Sequence, residues 1–418
     1  MFDKIVADLD ILRARLQPRP LPAFKPKAWV RDIFNMRTED VDAIAALGVF
    51  NGAAYQHSDW NGGTPEAGLA WVRKVGDAGL DMGIFPGSSA PGDLDSNLLQ
   101  LARNSKVRNW EIPDEPDTQD GPGGTARMSP DPTQAHIART DRILAAAGLP
   151  GRPTFQTVPG HNVIYGGATA RARWNIPGIG GNRENTYAPD LGVTQLKGRA
   201  DWGDTFTSTE QGAIMKSALH GPLRTTDGIS APTLAMHVPF MPYILLCADS
   251  DDASKVYSPA QIKRIIGSAM VWGACGYAAF DTILGKRFVT AGVLEHPELV
   301  PTLQELKRRD EIMQAAGFLM SANGGRTPGD VYESAVADMS GGSDQGPPDV
   351  GAIWHSPAEG QMPGGWEVRR CWNDARTDSA LFVSNLQIET RAFSVFGIGG
   401  TVAPGDHVLI HDGRDLFA

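Results

Sequence analysis

A short acidic segment between two prolines is the part of this sequence whose residue types are best suited to catalysis. Residues 107–112 form an apolar, strand-like run that breaks at Pro113, and Glu115 follows directly before Pro116. A residue that precedes proline is held extended, so Glu115 is displayed beyond the tip of the predicted strand. A carboxylic acid in such a fixed and partly buried position can have a raised pKa and act as a general acid.

Composition and charge limit what the protein can be. The chain has 418 residues, of which 41% are hydrophobic and 21% charged, so it suits one large globular domain with a smaller one, or two to three average domains. Its formal net charge is −10 and its Lys and Arg residues are not clustered, which argues against nucleic acid or an anionic membrane as a partner. No run approaches the roughly 18 apolar residues that cross a bilayer, so membrane insertion is not expected.

The cysteines, the histidines and the N-terminal residues predict no cofactor. Cys247, Cys275 and Cys371 lie far apart, and the nine histidines form no metal-binding motif, so we expect reduced thiols and no metal. Residues 1–20 have an amphipathic helical pattern without the apolar core of a secretory signal. Synthesis in the cytoplasm is expected, while the final location (cytoplasm, or a virion or extracellular assembly) and any homo-oligomer or larger assembly stay open.

Strand-like and helical patterns alternate over about 290 residues, which predicts a (β/α)8 TIM barrel. The predicted strands are residues 28–34, 49–56, 80–85, 107–112, 153–158, 200–206, 233–248 and 276–281. An open doubly wound sheet is the alternative, but no Gly-rich phosphate loop follows the first strand, where such sheets bind nucleotides. The long Gly- and Asn-rich stretch of residues 161–198 exceeds a plain connection and is therefore predicted to be functional.

Two helix starts carry capping signals. A helix over residues 38–47 is predicted with Thr38 as its N-cap, and one over residues 258–271 with Ser258 as N-cap and Pro259 at the first helical position.

The character of the sequence changes near Thr327, where helical periodicity gives way to short alternating runs. These runs are residues 366–371, 380–387, 391–396 and 407–410, and they predict a small antiparallel β-sandwich. The predicted organisation is an N-terminal helix and linker (1–24), a catalytic or glycan-binding barrel (25–322) and a C-terminal β-sandwich (323–418).

Acidic and aromatic residues follow the predicted barrel strands, where the active sites of barrels lie. The candidates at these positions, with Tyr187 from the long stretch, are Arg31, Asp32, His57, Trp60, Asp114, Glu115, Asp201, Trp202, Asp204, Asp249, Asp251, Asp252 and Asp281. Tyr and Trp faces stack on sugar rings, and carboxylates bind hydroxyl groups or protonate a glycosidic oxygen. The combination favours a carbohydrate ligand, with Asp32, His57, Trp60, Asp114, Tyr187 and Trp202 as the substrate-binding set.

Two motifs also resemble those of clan A glycoside hydrolases. The run Asp-Glu-Pro at Asp114–Pro116 is similar to the fourth-strand motif of that family, whose Glu is the acid/base. Residues 258–281 are similar to its seventh helix and eighth strand, and the C-terminal runs to the β-sandwich that often follows such barrels. The resemblance covers roughly residues 25–418 in layout and implies a TIM barrel followed by a β-sandwich, with Glu115 as the acid/base.

One departure from that family concerns the second carboxylate. The family's nucleophile is a Glu that ends the seventh strand, and residues 233–248 contain no Glu. Asp249 is the nearest alternative nucleophile or base, while Asp204 or Asp281 could activate a water on the far face, with inversion at a carboxyl separation of roughly 6.5–9.5 Å. Loss of catalysis is the third alternative.

The sequence therefore predicts a glycosidase that cleaves a poly- or oligosaccharide by carboxylic acid catalysis. The competing prediction is a non-catalytic barrel that binds glycans or serves as a structural component of a surface or virion assembly.

Overall fold

A computed structural model describes about half of the chain, in fifteen segments. These are residues 26–34, 36–55, 65–84, 99–111, 130–151, 154–159, 191–195, 240–246, 258–271, 273–280, 292–320, 329–333, 366–385, 389–395 and 398–418.

Eight short parallel strands pair in sequence order and close into a barrel. They are β1 (Val30–Phe34), β2 (Gly52–Tyr55), β3 (Asp81–Ile84), β4 (Val107–Glu111), β5 (Thr154–Pro159), β6 (Leu191–Gln195), β7 (Phe240–Leu245) and β8 (Gly276–Phe280). The pairing of β1 with β8 closes the ring, with Val30 opposite Gly276 and Phe34 opposite Phe280.

Helices follow six of these strands in the described segments. They are α1 (Val41–Ala46), α2 (Pro65–Asp77), α3 (Pro130–Ala146), α4 (Pro259–Val271), α5 (Gly292–Glu295) and α6 (Val300–Ala315), together with a helical piece at residues 99–102. Of the helices that the structure describes, none is long and apolar enough to span a membrane.

The sixth strand is not where the sequence pattern placed it. The structure forms β6 from Leu191–Gln195, inside the long stretch that was predicted to be an excursion, whereas residues 200–206 lie outside the described segments. The five residues of β6, Leu-Gly-Val-Thr-Gln, have a weak strand propensity because the run is short and contains a glycine. Pairing with β5 and β7 therefore determines the position of this strand.

The two predicted helix caps have different outcomes. Ser258 caps α4 as predicted: its Oγ accepts a hydrogen bond from the Gln261 amide at 3.3 Å, and Gln261 Oε1 accepts one from the Ser258 amide at 2.7 Å. This reciprocal pair is a capping box. The Thr38 prediction is wrong, because Thr38 begins a short 3₁₀ turn that precedes α1 and Arg37 occupies its cap position.

Beyond α6 the chain forms antiparallel sheets. A five-stranded sheet has the order β15-β14-β11-β10-β9, and β12 and β13 form a separate pair. The strands are β9 (Gly329–Glu333), β10 (Trp366–Trp372), β11 (Ser379–Asn385), β12 (Arg391–Val395), β13 (Ile398–Val402), β14 (His407–His411) and β15 (Arg414–Asp415). Four of them match the predicted runs, while β9, β13 and β15 were not predicted.

The five-stranded sheet has an apolar core on each face. On one face Phe382 and Leu409 join the large core that includes the barrel, and α4 packs against β10, β11 and β14. On the other face Val383, Phe393 and Val402 belong to a second cluster, which links the sheet to the β12–β13 pair. The sheet is therefore packed against the barrel helices on one side.

Ion pairs and close backbone contacts hold this sheet to the barrel helices. Asp406, just before β14, pairs with Arg309 of α6 and with Lys263 of α4. Burial acts to raise the pKa of Asp406, but the hydrogen bond and charge of Arg309 outweigh it and lower that pKa to about 2. Gly405 has φ +63°, and a Cβ atom there would lie 2.5 Å from the Ala260 carbonyl oxygen, so this position requires glycine.

A fully buried histidine lies at the centre of the same interface. The ring centroid of His407 is 5.0 Å from that of Phe382 and 5.7 Å from that of Phe417. Neither of its ring nitrogens has a hydrogen-bond partner in the part of the chain described. Burial, followed by the charge of Arg309, lowers the pKa of His407 to about 3.

We expect His407 to make the protein less stable as the pH falls. In the unfolded chain the imidazole is protonated below about pH 6.5, whereas in the folded protein it stays neutral until about pH 3. Between these two pH values the unfolded state therefore binds one more proton, and the free energy of unfolding falls by up to about 1.4 kcal/mol for each pH unit. Asp406 and Glu305 (pKa also about 2) add their own acid dependence only below their unfolded pKa values, 3.8 and 4.5.

His407→Phe tests this expectation, because it preserves the ring contacts and removes the titrating group. Urea unfolding between about pH 4.5 and 6.5 should give a flatter dependence for this variant than for the wild type. If the free energy of unfolding depends on pH equally in the wild type and in His407→Phe, His407 does not contribute to the acid dependence of stability.

Candidate active site

The carboxyl ends of the eight barrel strands meet at one rim, which is where a barrel places its reactive groups. Of the strands that lead to the predicted acids, β4 ends at Glu111, β7 at Leu245 and β8 at Phe280. In sequence, Glu115 follows β4, Asp249 follows β7 and Asp281 directly follows β8. In a closed ring of eight strands in sequence order, β8 lies opposite β4.

Most of the predicted site residues lie outside the described segments. They are Glu115, Asp249, Asp204 and Asp281 of the catalytic set, and His57, Trp60, Asp114, Tyr187 and Trp202 of the substrate-binding set. Their roles stay predictions. The sixth strand ends at Gln195, so Trp202 and Asp204 do not directly follow it in the sequence.

Arg31 and Asp32 are the two candidates of the predicted site that the structure describes. Both lie inside β1, which ends at Phe34 as the predicted strand does. Asp32 is 1% exposed. Both charges are buried within the strand, and substrate binding by Asp32 stays a prediction.

Arg108 of β4 is the partner of Asp32. Its Nη2 donates a hydrogen bond to Asp32 Oδ2, while Oδ1 has no hydrogen-bond partner within the described segments. Burial raises the pKa of Asp32, and the charge and hydrogen bond of Arg108 oppose that rise. Sequence alone does not reveal this pair, because Arg108 lies in an apolar, strand-like run and Asp32 is 76 residues away.

A glycine on β2 leaves the space that the Asp32–Arg108 pair occupies. Gly52 of β2 lies opposite Asp32, and a Cβ atom on it would be 2.0 Å from Asp32 Oδ1 and 2.9 Å from Arg108 Nη1. Since β1 and β4 are not neighbours in the ring, Asp32 and Arg108 meet across the barrel interior in the space over Gly52.

Arg31 points the opposite way, as successive strand residues do. Its Nη1 donates to both carboxylate oxygens of Asp310 on α6, at 2.6 and 2.9 Å, and its Nε donates to the Val49 carbonyl oxygen at 2.7 Å. Burial raises the pKa of Asp310 to about 7, although the charge of Arg31 acts to lower it. This outer pair joins the barrel to α6, and we regard it as structural.

A search of the described segments for three or more His, Cys, Asp or Glu side chains placed to hold a metal ion finds none.

Comparison with known proteins gives distant structural likenesses only. No protein-family model matches the chain, and no curated protein matches it. Among solved structures, the chain is similar to a glycoside hydrolase family 5 protein from Bacteroides vulgatus (10% identity, 92% of this chain and 88% of that one, TM-score 0.46). It is also similar to Amy13B from Eubacterium rectale (7% identity, 94% of each chain, TM-score 0.48).

A third similar structure is GH5_18 from Streptomyces cattleya, solved in complex with Manb1-4GlcNAc (12% identity, 75% of this chain and 80% of that one, TM-score 0.43). Glycoside hydrolases are thus among the structures that this chain is similar to. At these scores the likeness carries no argument about activity, which must come from the residues of the chain itself.

Proposed function

We propose that the protein is a glycoside hydrolase that cleaves a poly- or oligosaccharide by carboxylic acid catalysis, with Glu115 as the general acid. The observation that carries the proposal is the position of β4 in the barrel. It is the fourth strand of a closed ring of eight, and the run Asp-Glu-Pro follows its carboxyl end in the sequence. An acid that follows a barrel strand at this rim is placed for catalysis.

The proposal also concerns the architecture. We propose that a helix follows each of the eight barrel strands, so that the closed sheet and its helices form a (β/α)8 barrel. The two antiparallel sheets are proposed to form a β-sandwich over residues 323–418. Phe393 and Val402 of the β12–β13 pair share an apolar cluster with Val368, Leu381 and Val383 of the larger sheet. This contact supports the sandwich.

The second carboxylate is proposed among Asp281, Asp249 and Asp204. Asp281 is favoured because β8 lies opposite β4 in the ring, so an acid that follows β8 faces one that follows β4 across the rim. As a base that activates water, Asp281 would give inversion, whereas Asp249 as a nucleophile would give retention. Proton NMR of the first-formed anomer distinguishes the two.

The absence of an acidic residue from β7 favours a second candidate function. None of the six residues of β7, Phe-Met-Pro-Tyr-Ile-Leu, is acidic, so a barrel that binds glycans without cleaving them would account for the missing acid. His57, Trp60, Asp114, Tyr187 and Trp202 are proposed to contact the sugar in either case.

One experiment separates the two functions. The wild type is incubated with a panel of polysaccharides, and the release of reducing ends is measured beside retardation of the protein in gels that contain the same polysaccharides. Hydrolysis predicts release from at least one member of the panel. Retardation without release supports the glycan-binding barrel, and neither signal on any member contradicts a carbohydrate function.

A further inference from the structure

The interface between the five-stranded sheet and the barrel helices contains buried polar atoms that find no partner when it is closed. Ser384 of β11 and His407 of β14 lie opposite each other on neighbouring strands, and both are buried. Ser384 Oγ and the two ring nitrogens of His407 have no hydrogen-bond partner within the described segments. A buried polar group without a partner costs free energy that contact with water returns.

Helix α4 covers both of these side chains. A Cβ atom on Gly267 would lie 2.9 Å from His407 Nδ1 and 3.0 Å from Ser384 Oγ, so the two polar atoms lie directly beneath the helix backbone. Helix α4 stands between β7 and β8 in the chain and packs against β11 and β14. The polar atoms are therefore buried only where the barrel and the sheet meet, and separation of the two would expose them to water.

Charged side chains of both partners lie near His407. Asp406 pairs with Arg309 of α6 and with Lys263 of α4, and Glu305 of α6 also pairs with Arg309. A proton on His407 would bring a further positive charge close to Arg309 and Lys263, with Asp406 and Glu305 opposing that repulsion. The other charged residues on the packed elements are Arg264 of α4, Arg308 of α6, Arg369 of β10 and Asp415 of β15.

The sheet has a second core that does not depend on this interface. On its other face, Val368, Leu381 and Val383 form a cluster with Phe393 and Val402 of the β12–β13 pair. All described members of this cluster come from the two antiparallel sheets. Polar contacts between the domains of one chain commonly permit relative motion, so the sheet can separate from the barrel and keep this core.

We propose that the interface between α4 and the five-stranded sheet opens in acid, with His407 taking up a proton as the sheet separates from the folded barrel. Burial, followed by the charge of Arg309, lowers the pKa of His407 to about 3 in the closed interface. An exposed imidazole accepts a proton near pH 6.5. Acid therefore favours the open form below about pH 6.5, whether or not the barrel cleaves a polysaccharide.

The carboxylates of the interface respond at lower pH than His407. The hydrogen bond of Arg308 lowers the pKa of Glu305 to about 2, and Asp406 has a pKa of about 2 as well. Their contributions begin only as the pH approaches their ordinary values, 4.5 and 3.8. Between about pH 7.5 and 5, the single proton on His407 should raise the ratio of open to closed molecules by about 30-fold.

Two buried cysteines test the proposal in the wild-type protein. Cys371 of β10 belongs to the core shared by the sheet and α4, and Cys275 directly precedes β8 of the barrel. Each is labelled with a thiol reagent, and its rate is divided by the rate for urea-unfolded protein at the same pH. We expect the Cys371 rate to rise by about 30-fold from pH 7.5 to 5 and to exceed the Cys275 rate by at least about tenfold.

An equal or lower rate for Cys371 than for Cys275 would overturn the proposal, because the sheet would then open only when the barrel unfolds. A Cys371 rate without a rise in acid would overturn it as well. Both results are obtained without a variant.

His407→Phe and Glu305→Gln assign the acid dependence to its group. His407→Phe should lose the rise in Cys371 labelling between pH 7.5 and 5, and a rise that persists would overturn the role of His407. Glu305→Gln is the matched control, because it removes a charge of the same interface that responds only at lower pH. It should change Cys371 labelling by a similar factor at each pH and keep the rise of about 30-fold.

Discussion

Replacing Gly276 with alanine is expected to lower the free energy of unfolding by about 3 kcal/mol. Gly276 begins β8 and lies opposite Val30 of β1, where the ring closes. A Cβ atom on it would be 2.1 Å from the Val30 carbonyl oxygen and 2.6 Å from Val30 Cβ. The first of these is a backbone atom, so β1 and β8 must separate at the pairing that closes the ring.

Gly68→Ala is the matched control for this substitution. Gly68 lies in α2, and a Cβ atom there would meet no heavy atom within 4 Å, so alanine should stabilise the helix by about 0.5–1 kcal/mol. Urea unfolding of both variants beside the wild type measures the difference. A Gly276→Ala protein as stable as Gly68→Ala would mean that β1 and β8 do not close the barrel as described.

Replacing Glu115 with glutamine is expected to reduce kcat/KM on a polysaccharide by about 10²–10⁴-fold. Glutamine has nearly the same shape but cannot donate the proton that the departing oxygen needs. The loss should be much smaller on an aryl glycoside whose phenolate leaves without protonation. The basic limb of the pH profile should also disappear, because it reports the acid form of Glu115.

Asp114→Asn is the control for the neighbouring charge. It removes a negative charge beside Glu115 without removing the proposed acid, so its loss should be similar on polysaccharide and aryl glycoside. If Glu115→Gln also loses the same factor on both substrates, Glu115 is not the group that protonates the leaving oxygen.

The parts of the fold that depend on local signals could be predicted from the sequence. The capping box at Ser258 and Gln261 is such a signal, since both hydrogen bonds join residues three apart. Most barrel strands were found for the same reason, because their short apolar runs stand between helical patterns. The weak run of β6 was missed, because partners on the neighbouring strands rather than its own composition determine it.

The internal charges could not be predicted, because their partners are distant in sequence. In the sequence, Asp32 is an acid near the end of a predicted strand, and nothing near it indicates that its partner is Arg108 on β4. Arg31 pairs in the same way with Asp310 on the last helix of the barrel. The sequence shows that a charge interrupts an apolar run, but only the assembled barrel shows whether that charge faces a site or an internal partner.

The most direct test of the central claim is the rate at which reducing ends are released from one polysaccharide by the wild type and by Glu115→Gln, measured side by side at equal concentrations of folded protein. A barrel that uses Glu115 as its general acid predicts steady release by the wild type and a rate at least about 100-fold lower for the variant. Equal rates for the two proteins would contradict the account.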